Sequence, residues 1–192
     1  MTASNKPPLI VAMTGASGAY AAQLLLAKSP WPTLLMASRW AKEVFARECG
    51  SFEALAQTAG RVYDADDLTA PPASGSTETI GMVILPCSVN TLGRIANGLA
   101  DNLITRAAHC HLKERRPLIL GVREAPLTSI DLQNAVRVSA AGAIIMPITP
   151  PFFMFKGKTP HQISLHDLMD AFVERVLSLL GRRMAETWED ML

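Results

Sequence analysis

The sequence predicts a single α/β domain with a Rossmann-like, doubly wound, mainly parallel sheet. Three observations carry this. Short aliphatic runs recur along the chain, and each is apolar on both faces, as a parallel sheet covered by helices on both sides requires. Patterns of helical period separate successive runs. The 192 residues, 49% hydrophobic and 18% charged, suit one core, and no repeat, low-complexity tract or linker divides them. One domain over 1–192 is therefore expected, with 1–7 and 183–192 as flexible or oligomer-contacting tails.

Taken in order, "LIVAMTG" (9–15) reads as the first buried strand, followed by a helix over 18–28. "TLLMAS" (33–38) is the second strand, and helices follow over 40–49 and 52–59. "GMVILPCS" (81–88) is the third, leading into a helical stretch over 90–114 that Gly98 should break. "PLILGVR" (117–123), a helix over 129–141 and "AIIMPI" (143–148) complete the alternation. The last helix should start at Ser164, an N-cap residue with Asp167 three positions on, and close at Gly181. Leu165, Leu168, Phe172, Val176 and Leu179 mark its apolar face.

Composition excludes several classes of function. A formal charge of +1 without a basic stripe gives no footprint for nucleic acid. No apolar run reaches the ~20 residues of a membrane helix, and the start "MTASNKPPLIVAM" lacks a signal-peptide pattern. Cys49, Cys87 and Cys110 are odd in number and scattered, which points to reduced thiols and the cytoplasm. "HCH" at 109–111 is a poor metal site, because adjacent helical residues fan apart, and no metal is expected.

In doubly wound sheets, ligands bind at the carboxyl ends of the strands. After the first strand, Gly15, Ala16, Ser17 and Gly18 form a turn whose N–H groups suit an anion, or simply a tight strand-to-helix connection. The stretch is not G-x-G-x-x-G, and Ser38 and Arg39 end the second strand where a dinucleotide fold places an acid, so a nicotinamide dinucleotide is disfavoured. "PCSVNTL" brings Ser88, Asn90 and Thr91 to a helix start, suited to a phosphate or a ring edge. Cys87 lacks a preceding histidine as base and reads as a buried thiol. "GVREAPL" puts Arg123 beside Glu124 at another strand end: an anion contact with an acid/base group, or a surface ion pair. "TPPFFMFKGKTPH" (149–161) combines Phe152, Phe153 and Phe155 with Lys156 and Lys158, suited to a ligand both apolar and anionic.

"MTGASGA", "PPASGS", "ILPCSVNTLGRIANGLADNLITRAA", "LKERRPLIL", "VREAPLTSIDLQN" and "GAIIMP" together resemble the UbiX-type flavin prenyltransferases, from about residue 8 to 181. The resemblance implies transfer of a dimethylallyl group from dimethylallyl phosphate to N5 and C6 of reduced FMN, without a metal, giving prenylated FMN for a UbiD-type decarboxylase. It implies FMN contacts from Gly15, Ala16, Ser17, Ser38, Ser88, Val89, Asn90, Thr91 and Arg123. Ser17, Glu48 and Glu124 become the catalytic candidates. Lys113, Arg123, the position of Phe153 and Arg175 would surround the prenyl phosphate, with Arg106 in support. Arg175, between Phe172 and Leu179, flanks the buried face, and is expected either to point inward, as the resemblance implies, or to snorkel out to solvent. The family also implies a trimer-based homo-oligomer, a dodecamer, in which the 71–76 loop reaches a neighbour's flavin site.

The chain departs from the family at the donor site. Phe153 stands where the family carries a tyrosine, the segment after it is about six residues longer, and Leu68 or Thr69 replaces an aromatic before "APPASGS". A lost hydroxyl-to-anion hydrogen bond costs roughly 1.5–3 kcal/mol unless replaced. Either Lys156 or Lys158 supplies the contact, or the protein binds flavin with an altered donor site. A flavin-dependent cysteine decarboxylase is a third reading, but no histidine precedes position 109 to serve it.

Overall fold

The computed structural model describes residues 6–149, Phe155 and 159–183. Six strands, β1 (Leu9–Met13), β2 (Thr33–Ala37), β3 (Arg61–Asp64), β4 (Gly81–Cys87), β5 (Leu118–Val122) and β6 (Ile144–Ile145), form one sheet in the order β3-β2-β1-β4-β5-β6. Every pairing is parallel, and the order reverses direction between β1 and β4. In this doubly wound arrangement the crevice beyond that reversal is where ligands bind.

The helices are α1 (Ala19–Lys28), α2 (Arg39–Glu48), α3 (Phe52–Thr58), α4 (Val89–Ala96), α5 (Leu103–Lys113), α6 (Ser129–Ala140) and α7 (Leu165–Leu179). Alternate strand residues feed two cores, as the twofold strand period demands. Leu9, Val11 and Met13 face α1, α7 and the Phe45–Phe52 edge contact between α2 and α3. Ile10 and Ala12 face Leu92 of α4, Ile104 of α5 and Val138 of α6. The central strands are buried on both faces, so their sequences show no alternation.

The expected 90–114 stretch is two helices: α4 ends at the C-cap Asn97, and Asn102 opens α5 with a reciprocal cap to Thr105. Ser164 and Asp167 cap α7 in the same way, and the helix closes before Gly181. Strand β3 went unrecognised in the sequence. It is four residues long, sits at the sheet edge, and exposes Arg61, Val62 and Asp64, so it carries neither a continuous apolar run nor alternation.

Candidate functional site

The carboxyl ends of β1 and β4 are bolted together by Thr14, a buried residue. Its N–H and hydroxyl both donate to the Pro86 carbonyl, at 3.1 and 3.0 Å, and its Oγ1 accepts from the Ser88 N–H at 2.8 Å. In the sequence Thr14 is marked only as a hydroxyl residue directly before the glycine turn, a signal too common to single it out. Ser88 in turn caps α4, accepting from the Thr91 N–H, and Ser38 caps α2, accepting from the Ala41 N–H. Both serines thus orient a helix N-terminus toward the crevice.

Over these ends lies a cavity of about 650 Å³ lined by Gly15, Ser38, Ser88, Val89, Asn90, Thr91 and Glu124 among the expected residues. Arg39, Trp40, Lys42, Asp64 and Asp66 also line it. Of these five, only Arg39 stood out in sequence, and the two aspartates follow the unrecognised strand. Gly15 is obligatory in shape: a Cβ there would fall 2.6 Å from Trp40 Cβ. Arg39 and Lys42 beside two open helix N-termini make one end of the cavity suited to a phosphate. The cavity's size and mixed polar and apolar lining suit a flat heteroaromatic ring with such a tail.

Ala16 and Ser17 continue the Gly15 turn, and Arg123 sits one residue before Glu124, its N–H bonded to the Cys87 carbonyl at 3.1 Å. Glu48, at the end of α2, accepts from the N–H groups of Gly18 and Ala19 at 2.9 and 2.8 Å. The N-terminus of α1 is therefore already occupied by a carboxylate. Cys87 is fully buried, and burial pushes its thiol up to about 12, so it is no nucleophile.

Two expected residues lie elsewhere. Lys113 ends α5, next to the loop that enters β5 at the amino end of the sheet, where it pairs with Glu114. Arg175 does not turn inward as expected: Phe172, Val173, Val176 and Leu177 fill the buried face of α7, leaving Arg175 exposed with Nη1 donating to Ser178 Oγ at 3.1 Å. Arg106 donates through Nε to the Ala73 carbonyl at 2.9 Å. Phe153, Lys156 and Lys158 lie outside the described residues. In "HCH", both ring nitrogens of His111 are engaged, Nδ1 with the Ala107 carbonyl and Nε2 with Thr79 Oγ1, each at 2.8 Å.

The fold and the cavity define a flavoprotein, and the model of the Flavoprotein family matches residues 1–177. The flavin prenyltransferase UbiX of Pseudomonas aeruginosa is 42% identical over 93% of this chain and 91% of its own. A crystal structure of AnUbiX (PadA1) with FMN and dimethylallyl pyrophosphate has a TM-score of 0.88 at 37% identity, covering 96% of this chain and 98% of that one. A dodecameric FMN-dependent UbiX-like decarboxylase from Escherichia coli O157:H7 has a TM-score of 0.85 at 36% identity, covering 94% and 98%. The chain belongs to the UbiX family of flavin prenyltransferases.

Proposed function

We propose that this protein transfers a dimethylallyl group from dimethylallyl phosphate to N5 and C6 of reduced FMN, without a metal. One observation carries the reading. The strand-end cavity belongs to a chain that superimposes, over 96% of its length, on a relative holding FMN and dimethylallyl pyrophosphate. Bound reduced FMN would supply two nucleophilic positions, N5 and C6, one for each end of the allylic system, with phosphate as the leaving group.

The protein's own residues bind and orient. Gly15, Ala16 and Ser17 admit the flavin closely, and Ser88 to Thr91 offer hydrogen bonds to its ring. Ser38, with Arg39 and Lys42, receives its phosphate. Glu124, which lines the cavity, exchanges protons at the reacting ring, and Ser17, two residues beyond the cavity-lining Gly15, is the second polar group assigned to that exchange. Glu48 fixes the turn that carries Ser17. Arg123 faces the leaving phosphate, where fixed cations stabilise developing charge. Lys113 and Arg175, remote from the cavity of their own chain, serve that phosphate from neighbouring copies. Support for such an assembly comes from the dodecameric relative and from Ile130 and Val136 of α6, exposed by 67% and 69%. No helix among the described residues is long and apolar enough to cross a membrane. With three free thiols, the protein fits the cytoplasm, where its product would serve a UbiD-type decarboxylase.

The test is anaerobic incubation of the FMN-loaded protein with reductant and dimethylallyl phosphate, then mass spectrometry. A flavin heavier by one prenyl unit is expected; its persistent absence with FMN bound overturns the reading. Phe153 favours a second reading, flavin binding with an altered donor site, because it lacks the family's hydroxyl. Phe153→Tyr separates the two: an intact pocket gains donor affinity, and an altered one does not.

A further inference from the structure

The crossover from β3 to β4 runs along the whole outer side of α5, and the helix and the turn after it hold its backbone. Leu103 N–H donates to the Ala65 carbonyl at the start of the path. Arg106 Nε and Cys110 Sγ both donate to the Ala73 carbonyl. Beyond the helix, the half-buried Arg116 uses its two terminal nitrogens on two carbonyls. Nη2 donates to Gly75 at 2.6 Å, and Nη1 donates to Thr77. A planar fork spanning two acceptors is a geometry that a lysine cannot copy.

That fork sets a second relation. Gly75 lies flush against the Lys113–Glu114 ion pair, and a Cβ at 75 would run into both the ammonium and the carboxylate. The strap over 71–77 and the Lys113 ammonium therefore make one preformed surface, registered by Arg116. This surface stands at the amino end of the sheet, opposite the flavin cavity of its own chain. Lys113 has no route to that cavity, so any action on a prenyl phosphate takes place in another copy.

We infer that Arg116 is a positioning residue for prenyl transfer: it fixes the 71–77 strap and Lys113 in the register that completes the donor site of a neighbouring subunit. The inference rests on the prenyltransferase reading above. Arg116 touches neither substrate nor flavin; it acts through the strap and Lys113.

The experiment uses the full-length, FMN-loaded oligomer with Arg116→Ala and Arg116→Lys. Dimethylallyl phosphate affinity, measured by calorimetry on oxidised, non-reacting protein, should weaken about tenfold, the equivalent of one lost charge-assisted contact. KM for the donor should rise in parallel, while kcat stays within about twofold, a split that general loss of packing does not produce. Arg116→Lys keeps the charge and secures a folded protein if Arg116→Ala does not assemble, and it should behave like the alanine variant.

Mixed oligomers supply the second measurement. Arg116→Ala subunits retain an intact cavity, and Glu124→Gln subunits retain an intact strap. At donor concentrations well below the KM of the Arg116→Ala parent, co-assembly should restore donor turnover above the weighted mean of the two parents. Unchanged donor affinity in Arg116→Lys, or hybrids at the weighted mean, overturns the inference. Failure of the underlying reading shows differently: the wild-type protein then forms no prenylated flavin.

Discussion

Gly15 and Trp40 show how much of the site is decided by single atoms. Replacing Gly15 with alanine places a methyl group where Trp40 Cβ already stands, and overpacking of this kind costs on the order of 1–3 kcal/mol. Because the neighbour that must shift lines the cavity, the cost should fall on the ligand. Fluorescence titration of Gly15→Ala should show FMN affinity reduced about tenfold or more, and unchanged affinity would mean that Trp40 moves freely. The cysteines give a chemical check. Cys87 and Cys110 are buried, and burial holds the thiols of Cys87 and Cys49 above their ordinary range. A thiol reagent at pH 7.5 should leave Cys87 and Cys110 unmodified in the folded protein, with all three modified in denaturant. At this scale the sequence was most legible where chemistry requires a residue type, as at Ser38, Ser88 and Glu124. It was least legible for Trp40, Lys42, Asp64 and Asp66, whose side chains matter only because the fold turns them toward one cavity.

The start of α7 was readable because capping is local chemistry: Ser164 with Asp167 satisfies backbone N–H groups within one turn, whereas the Asn102–Thr105 cap that opens α5 lay unread inside the 90–114 stretch. Strand β3 was not readable, because an exposed edge strand is stabilised by pairing with β2 and not by its own pattern. The same reasoning predicts that Ser164→Ala, which strips the cap from α7, costs about 1 kcal/mol, measurable by chemical denaturation. The orientation of α7 should survive, since Lys28 bridges Asp170 and Glu174 and the buried face is untouched. The inward turn expected of Arg175 failed for a related reason: helical spacing places a residue at the margin of a face, and the packing of α1 against that face decides the outcome.

At the scale of the molecule, the buried His111 links acidity to stability. The Ala107 carbonyl can only accept, so Nδ1 carries the proton and Nε2 accepts from the Thr79 hydroxyl. Burial, opposed only in part by the Ala107 hydrogen bond, lowers the imidazole below its ordinary 6.5. The unfolded chain then takes up a proton near 6.5 that the folded chain refuses. This contribution to stability is complete above that pH and declines as pH falls through 6.5 toward the folded value. Denaturation midpoints between pH 7.5 and 5 should fall in the wild type and fall less in His111→Gln; equal slopes would remove His111 from the account. Assembly has its own test: Val136→Glu on the exposed face of α6 should lower the mass seen by light scattering if that face joins copies. The carboxylate of Glu48 on the first N–H groups of α1 reaches furthest. In dinucleotide enzymes of this topology that helix start is the seat of the pyrophosphate. Here the seat is filled by the chain itself, and a second phosphate arriving there would meet a negative charge in place of open donors. Discrimination against a dinucleotide is in this way built in by occupying a berth instead of reshaping it.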